Sequence, residues 1–194
     1  MGDAAALEIY RFLGQRVATA ATQLSRCHAS LVTTPDDDRA SVREWLGRDW
    51  NVQPQGDGDL GARMSAAMVR SFDAGATQVV IVGTDCPDVN VDVFNAAFEG
   101  LATHDVVIGP AHDGGYYLIG MRAPCPALFV NVAWSSPQTL EQTLARAKEV
   151  GVTVTLLDAR SDIDTEDDWR RWTSTNSWAA AEVARGSLSP NSLP

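Results

Sequence analysis

The feature that most constrains the fold of this chain is an uninterrupted apolar run, Val-Val-Ile-Val at residues 79–82, which ends at Gly83. A run with no polar alternation is typical of a strand that is covered on both faces, as in a parallel sheet. Apolar residues at helical spacing precede the run over residues 60–74 and follow it over 91–103. Helices on both sides of a buried strand predict an α/β fold with a mostly parallel sheet.

The rest of the chain repeats this alternation. Further helices are predicted at 4–25, 39–47, 136–150 and 165–183, and further strands at 29–34, 50–53, 105–109, 116–121 and 152–157. No internal repeat or linker interrupts the pattern. We therefore expect a three-layer α/β sandwich in a single domain over residues 1–186, followed by a disordered tail at 187–194.

The charged residues are mostly aspartate and arginine, with few glutamates and a single lysine. The 194 residues include 18 Asp but seven Glu, and 14 Arg but a single Lys, Lys148, for a net charge of -10. An acidic chain argues against binding to nucleic acid or to anionic membranes, because both kinds of binding rest on basic surfaces. A phosphate ester could bind only with a divalent cation that offsets this acidity.

Targeting signals and cysteine frameworks are not apparent. No apolar run is long enough to span a membrane, and the N-terminal residues lack the pattern of a signal peptide. The three cysteines are odd in number and form no CxxC pair. We therefore expect a cytoplasmic protein.

Aspartates follow the clearest strand, at the edge of the sheet where parallel-sheet proteins bind ligands. Asp85 and Asp88 come directly after the apolar run, beyond Gly83. Their hard carboxylate oxygens suit Mg²⁺ or Mn²⁺ that holds a diphosphate. Asp88 could equally cap the helix at 91, whereas Asp85 lies too far upstream to do so.

Three further segments carry polar chemistry, and each also has a purely structural interpretation. Segment 109–120 contains His-Asp-Gly-Gly-Tyr-Tyr; an Asp-Gly hairpin turn accounts for Asp113 and Gly114 but not for the neighbouring His112. Segment 161–168 could simply cap a helix through Asp164 or Thr165. Segment 55–63 is a Gly-rich stretch before a helix, which can hold an anion or a base edge.

Four segments together occur in the order and spacing of one known family. They are 83–88 (Gly-Thr-Asp-Cys-Pro-Asp), 109–120, 134–137 (Trp-Ser-Ser-Pro) and 162–168 (Asp-Ile-Asp-Thr-Glu-Asp-Asp). The chain resembles a bacterial family of GT-A-fold, glycosyltransferase-like proteins that are often described as nucleotide-diphospho-sugar transferases. It is also similar to the molybdenum-cofactor and phospholactate nucleotidyltransferases. The resemblance runs from about residue 55 to residue 169.

The resemblance implies roles for individual residues. Mg²⁺ or Mn²⁺ would be held by Asp85 and Asp164, with Asp162 competing for the second position. Either His112 or Asp113 would act as the base toward an acceptor. The nucleotide would face Gln55, Gly58, Leu60, Gly61 and Arg63. The sugar or acceptor would lie near Asp113, Gly114, Tyr116 and Trp134.

The chain departs from the family pattern at its start. The family opens with a strand and a Gly-rich loop carrying Lys and Arg, which would wrap the phosphates, whereas this sequence begins at the helix that follows. Either the true start of the chain lies upstream, or the protein is a shortened relative of the family. A sheet without that first strand would have an open edge or slot, covered by another chain, such as a second copy in a homo-oligomer, or by residues 1–3.

Two functions follow from this resemblance. The first is a metal-dependent glycosyltransferase or nucleotidyltransferase that binds a nucleoside-diphosphate sugar or a nucleoside triphosphate. The second is a shortened, non-catalytic relative that binds a nucleotide or a protein.

Overall fold

The alternation of helices and strands predicted from the sequence is confirmed. A computed structural model describes residues 2–25, 27–34, 39–46 and 50–185. The helices are α1 Asp3–Thr22, α2 Arg39–Leu46, α3 Leu60–Asp73, α4 Val91–Leu101, α5 Thr139–Val150, α6 Glu166–Thr175 and α7 Ser177–Arg185. The strands are β1 Ser30–Thr33, β2 Asn51–Pro54, β3 Val79–Val82, β4 Val106–Pro110, β5 Tyr116–Met121 and β6 Val154–Leu156, and a short 3₁₀ helix spans Pro126–Phe129.

The described strands form two sheets. Strands β1 and β2 pair in parallel, and the other four have the order β3-β5-β4-β6. Strand β5 is antiparallel to both β3 and β4, while β6 is parallel to β4. Three of the four strands therefore run in one direction. Strand β5 reverses because a connection as short as residues 111–115 can join only antiparallel strands.

Helices cover both faces of the four-stranded sheet, which confirms the expected three layers. On one face, Phe94 and Leu101 of α4 pack with Val107. On the other, Met68 of α3 packs with Ile108. Val107 and Ile108 enter opposite cores because successive side chains of a strand point to opposite faces.

Short polar side chains determine where several helices begin. Asp59 caps α3 by accepting a hydrogen bond from the Ala62 amide at 2.8 Å. Asn90 caps α4 by accepting one from the Val93 amide at 3.1 Å. The helix predicted at 165–183 is two helices, because Asn176 leaves the helical conformation and its side chain donates to the Trp172 carbonyl.

Helix α1 begins at the N-terminal end of the described chain. Gly2 is the N-cap of α1, and Asp3 is its first residue. Met1 and the predicted tail at 187–194 lie outside the described residues. None of the described helices is long and apolar enough to cross a membrane. Cys27, Cys86 and Cys125 are all free thiols.

Candidate functional site

The loops that follow β3, β4 and β6 meet at one edge of the sheet, because these three strands run in the same direction. Backbone hydrogen bonds tie the loops together. The Ile163 amide donates to the Asp85 carbonyl at 3.0 Å, and the His112 amide donates to the Arg160 carbonyl at 2.9 Å. The Arg160 amide in turn donates to the Pro110 carbonyl at 3.0 Å. The predicted metal and base segments are thereby held side by side.

Four aspartate carboxylates influence one another at this edge. Asp85 is exposed as a whole residue, but its carboxyl group is partly shielded from water, and this desolvation raises its pKa. Repulsion from Asp164 and Asp113 raises the pKa of Asp85 further. Burial of Asp162, together with repulsion from Asp85, Asp113 and Asp164, raises the pKa of Asp162 to about 7. Close carboxylates of like charge are costly without a compensating cation.

The donor set at this edge fits a divalent cation. The Oδ1 atom of Asp162 is buried and has no hydrogen-bond partner. Among residues 2–25, 27–34, 39–46 and 50–185, no group of three or more His, Cys, Asp or Glu side chains is arranged so that it could hold a metal ion. Mg²⁺ is commonly bound through one or two carboxylates together with substrate phosphates and water, and a pair of these aspartates suits that mode.

Gly83 makes room for the carboxylate of Asp85. A Cβ atom at position 83 would lie 2.6 Å from Oδ1 of Asp85, so any larger residue would push the carboxylate away. The glycine therefore allows the Asp85 side chain to fold back over the end of β3.

Neither Asp88 nor Asp164 caps a helix. Thr165, not Asp164, caps α6: its Oγ1 accepts from the Asp168 amide at 3.2 Å, and Asp168 Oδ2 accepts from the Thr165 amide at 2.9 Å. Asp88 does not cap α4 but accepts a hydrogen bond from the Trp172 indole at 3.0 Å. Asp164 is exposed and is not the capping residue.

The loop between β4 and β5 is the Asp-Gly turn that the sequence allowed. Asp113 Oδ1 accepts from the Gly115 amide at 2.8 Å, and Gly114 has a φ of 93° that favours glycine. Asp113 still faces the acidic cluster, since its charge raises the pKa of both Asp85 and Asp162. His112 is exposed, and its amide is the group that ties it to the neighbouring loop.

Tyr116 and Trp134 belong to an aromatic group beneath the start of α3. Their ring centroids lie 6.3 Å apart, and Trp134 stacks on Phe129 at 6.2 Å. Trp134 also lies against Gly61, where a Cβ would come within 2.4 Å of the indole. The predicted substrate residue Trp134 and the predicted nucleotide residue Gly61 are thus direct neighbours.

The predicted nucleotide segment forms a compact loop before α3. The Arg63 guanidinium donates from Nε to the Gly58 carbonyl at 2.9 Å and from Nη1 to Gln55 Oε1 at 3.2 Å. Leu60 is 45% exposed. Gln55, Leu60 and Arg63 line a cavity of about 290 Å³ that also reaches Thr84, the residue before Asp85.

A second cavity, of about 450 Å³, lies on the α1 side of the carboxylates. Asp85 and Asp164 form part of its wall. Ile9, Tyr10 and Trp169 supply apolar and aromatic surface to the same cavity. The acidic cluster therefore borders this second cavity, whereas the first cavity reaches Thr84 but none of the four aspartates.

Two residues near the cluster were missed by the sequence analysis. Burial of Cys86, together with repulsion from Asp162, raises the pKa of its thiol to about 12. Arg160 lies with its guanidinium carbon 6.0 Å from the centre of the Tyr117 ring, and its Nε is buried without a hydrogen-bond partner. The sequence could have pointed to Arg160, because it is the one basic residue in the acidic segment 158–168.

Comparison with solved structures defines the class of fold. A protein from Desulfovibrio desulfuricans G20, solved as a candidate nucleotide-diphospho-sugar transferase, is 31% identical, with a TM-score of 0.83 over 94% of this chain and 80% of that chain. The chain thus has the nucleotide-diphospho-sugar transferase type of fold. It belongs to the DUF2064 family, described as uncharacterized proteins conserved in bacteria, whose model matches residues 17–136.

More distant structures share the fold alone. The 4-diphosphocytidyl-2C-methyl-D-erythritol synthase of Anaerococcus prevotii DSM 20548 is 11% identical, with a TM-score of 0.61 over 87% of this chain and 86% of that chain. Rv0371c of Mycobacterium tuberculosis H37Rv, solved in complex with manganese, is 18% identical, with a TM-score of 0.56 over 84% of this chain and 86% of that chain. No curated protein matches the sequence significantly.

Proposed function

We propose that this protein is a metal-dependent glycosyltransferase or nucleotidyltransferase that binds a nucleoside-diphosphate sugar or a nucleoside triphosphate. The observation that carries the proposal is the convergence of Asp85, Asp113, Asp162 and Asp164 at the edge of the sheet. An unpartnered buried oxygen on Asp162 supports a cation at this point. The relationship to a candidate nucleotide-diphospho-sugar transferase supports a nucleotide ligand.

In this proposal, Asp85 and Asp164 hold Mg²⁺ or Mn²⁺, and Asp162 is the alternative second ligand. A bound divalent cation would neutralise charge on the diphosphate. The base and ribose contact the segment formed by Gln55, Gly58, Leu60, Gly61 and Arg63. This placement is supported by the cavity of about 290 Å³, which is lined by Gln55, Leu60 and Arg63 and also by Thr84, the residue before Asp85.

Asp113 is the better candidate for the base that activates an acceptor. Its carboxylate is oriented by the Gly115 amide and faces the acidic cluster, whereas the exposed His112 is tied to the site through its backbone. The base would take the proton of an acceptor hydroxyl as that oxygen bonds to the transferred group and the diphosphate departs. The sugar or acceptor would lie near Gly114, Tyr116 and Trp134.

The binding step can be tested by thermal unfolding. We expect Mn²⁺ together with one of the common nucleoside diphosphates, each at millimolar concentration, to raise the melting temperature. Saturation to 100 times Kd stabilises a protein by ~2.7 kcal/mol. In domains of this size 1 kcal/mol corresponds to about 2–4 °C, so the expected rise is roughly 5–10 °C.

A matched pair of variants shows whether the shift arises at the acidic cluster. Asp85→Asn should abolish the metal-dependent shift, because it removes a charged ligand with little change in shape. Asp73→Asn makes the same chemical change at the far end of α3 and should keep the shift. No shift with any nucleotide, or an unchanged shift in Asp85→Asn, would contradict the proposal.

Turnover separates the two functions that the sequence suggested. An active transferase should release a nucleoside diphosphate or pyrophosphate when a nucleotide sugar or nucleoside triphosphate is offered with metal and acceptor. Nucleotide binding with no turnover across a broad acceptor screen would instead identify the non-catalytic relative.

A further inference from the structure

The loop after β3, residues 83–88, is bonded to α6 and to the residue chain just before that helix at two separate points. Before the helix, the Ile163 amide donates to the Asp85 carbonyl at 3.0 Å. Two turns into the helix, the indole Nε1 of Trp172 donates to Oδ1 of Asp88 at 3.0 Å. A loop held at one point can still pivot, whereas a second bond roughly 10 Å further along the helix axis fixes its orientation as well.

The indole of Trp172 is held in place by the side chains around it. Its ring centroid lies 5.7 Å from that of Trp169, 6.3 Å from that of Phe12 and 6.1 Å from that of Trp178. The guanidinium carbon of Arg16 lies 5.9 Å from the centre of the same ring. Because the ring is enclosed on several sides, its N–H offers the loop one fixed position.

The other partner, Asp88, interacts with both α1 and α6. Burial lowers the pKa of the Arg16 guanidinium on α1, and the charge of Asp88 opposes that effect. The Nε of Arg16 also donates to the carbonyl of Pro87, the residue before Asp88, at 3.2 Å. The end of the loop is therefore attached to the two helices at two successive residues.

The two proposed metal ligands lie on the two parts that these contacts join. Asp85 belongs to the loop, and Asp164 directly precedes Thr165, the N-cap of α6. The capping box of Thr165 and Asp168 fixes the first turn of that helix. The separation of the Asp85 and Asp164 carboxylates therefore depends on how the loop is held against α6.

We propose that Trp172 and Asp88 are positioning residues of the metal site. Their hydrogen bond fixes the loop against α6, sets the separation of Asp85 and Asp164, and so raises the affinity of the site for Mg²⁺ or Mn²⁺. A pair of ligands held at a fixed spacing binds a cation more tightly than a pair that must first be brought together. Because this role rests on the proposed function, in which the two aspartates hold the cation, it is tested by metal binding.

Mn²⁺ binding measures the role directly, by electron paramagnetic resonance of the free ion in titrations of the full-length protein without nucleotide. Trp172→Phe keeps a ring in the aromatic cluster and removes the N–H donor. Loss of a group that orients a metal ligand typically weakens metal binding by about 10–100-fold. Because Trp172 acts through the loop and not on a ligand directly, we expect a rise of about tenfold in the dissociation constant, the lower end of that range.

Trp178→Phe is the matched control. It makes the same change at a neighbouring ring of the same cluster, whose indole nitrogen is bonded to no other residue of the described chain. Its Mn²⁺ dissociation constant should stay within about twofold of that of the natural protein.

Variants of Asp88 separate the hydrogen bond from the charge. Asp88→Asn keeps an oxygen that accepts from the indole, so it should weaken Mn²⁺ binding by less than about threefold. Asp88→Ala removes the acceptor and should match Trp172→Phe. The double variant Trp172→Phe/Asp88→Ala should bind no more weakly than either single variant, because both changes remove the same bond.

Amide exchange gives a second readout, which needs no metal. In the metal-free protein, residues 84–89 should exchange severalfold faster in Trp172→Phe than in Trp178→Phe, because the loop has lost one of its attachments. Circular dichroism checks that each variant is folded. Asp88 is exposed, so Asp88→Ala supplies the same two readouts if Trp172→Phe does not fold.

The outcomes that contradict this role differ from those that contradict the proposed function. Unchanged Mn²⁺ affinity in Trp172→Phe and Asp88→Ala, an equal loss in Trp178→Phe, or additive losses in the double variant would overturn the role and leave the metal site in place. A loss in Asp88→Asn as large as that in Asp88→Ala would also overturn it, because the effect would then arise from charge. Failure of the natural protein to bind Mn²⁺, or binding that Asp85→Asn does not weaken, would instead contradict the proposed function and this role together.

Discussion

Single residues explain much of how the site is built, and Gly61 shows how closely. The Trp134 indole occupies the space where a Cβ at position 61 would lie, 2.4 Å away. Gly61→Ala forces the indole or the start of α3 to move, so we expect the free energy of unfolding to fall by about 1–3 kcal/mol, measured in denaturant.

A matched glycine provides the control for Gly61→Ala. No atom lies within 4 Å of a Cβ built at Gly2, so Gly2→Ala should cost no more than about 0.5–1 kcal/mol, from the poorer N-cap alone. If Gly61→Ala were as stable as the natural protein, the contact between α3 and Trp134 would be looser than the structure indicates.

Asp162 illustrates the cost of assembling acidic residues. Its pKa in the folded protein, about 7, lies above the ordinary value of 3.8 that applies to the unfolded chain. Ionisation of Asp162 therefore destabilises the folded state relative to the unfolded chain. This destabilisation is absent below pH 3.8, grows as the pH rises from 3.8 to about 7, and is complete above about 7. Asp162→Asn removes this cost, so the metal-free variant should melt higher than the natural protein at pH 8, with little difference near pH 4.

Melting curves at several pH values in the presence of a chelator measure this effect. Asp73→Asn, which is outside the cluster, should show no such gain at pH 8. An Asp162→Asn gain of equal size at pH 4 and pH 8 would mean that something other than the carboxylate charge is responsible.

At the scale of elements, helix α6 depends on its first turn. Thr165 and Asp168 exchange hydrogen bonds in a capping box, which satisfies two amides that would otherwise lack partners. Thr165→Ala should lower the free energy of unfolding by about 1 kcal/mol. Thr175→Ala, at the other end of the same helix, should change it by less than about 0.5 kcal/mol.

Denaturant unfolding of the two threonine variants distinguishes a capping effect from a general effect of losing a hydroxyl group. Equal losses would contradict the capping interpretation. The same box leaves Asp164 free to face the acidic cluster, so the cap and the proposed metal ligand are adjacent residues with separate roles.

At the scale of the whole molecule, an aromatic cluster joins the two ends of the described chain. Phe12 of α1 packs against Trp169, Trp172 and Trp178 of α6 and α7. The guanidinium of Arg16 lies 4.9 Å from the centre of the Trp178 ring, and its Nε donates to the Pro87 carbonyl at 3.2 Å. Helix α1 therefore also holds the loop that carries Asp85.

Arg16→Met tests this link, because it keeps most of the apolar stem and removes the guanidinium. A cation–π contact contributes about 0.5–2 kcal/mol and a hydrogen bond about 0.5–1.5 kcal/mol, so we expect a loss of about 2 kcal/mol in unfolding free energy. Arg11→Met on the same helix removes only an i,i+3 pair with Glu8 on an arginine side chain that is 44% exposed, and should cost under about 0.5 kcal/mol. Similar losses in both variants would contradict a specific role for Arg16.

The predictable part of this protein was its local pattern. The apolar run at 79–82, the helical spacing around it and the aspartates after the strands led to the α/β class and to the edge where the acidic residues meet. Asp85, Asp113, Asp162 and Asp164 could be grouped because strands that run in parallel end at the same edge. The split of the last helix at Asn176 was missed, because one residue with a side chain that bonds to the backbone ended it.

Contacts between distant segments could not be read from spacing. Side-chain packing across the fold decides three of these contacts. They are the cap of α6 by Thr165 rather than Asp164, the hydrogen bond from Trp172 to Asp88, and the position of Gly61 against Trp134. Periodicity and residue chemistry act over a few residues along the chain, and so they determine the elements and the edge of the sheet that carries the acidic residues. Pairing, burial and charge repulsion join residues far apart in sequence and arise only when those elements pack.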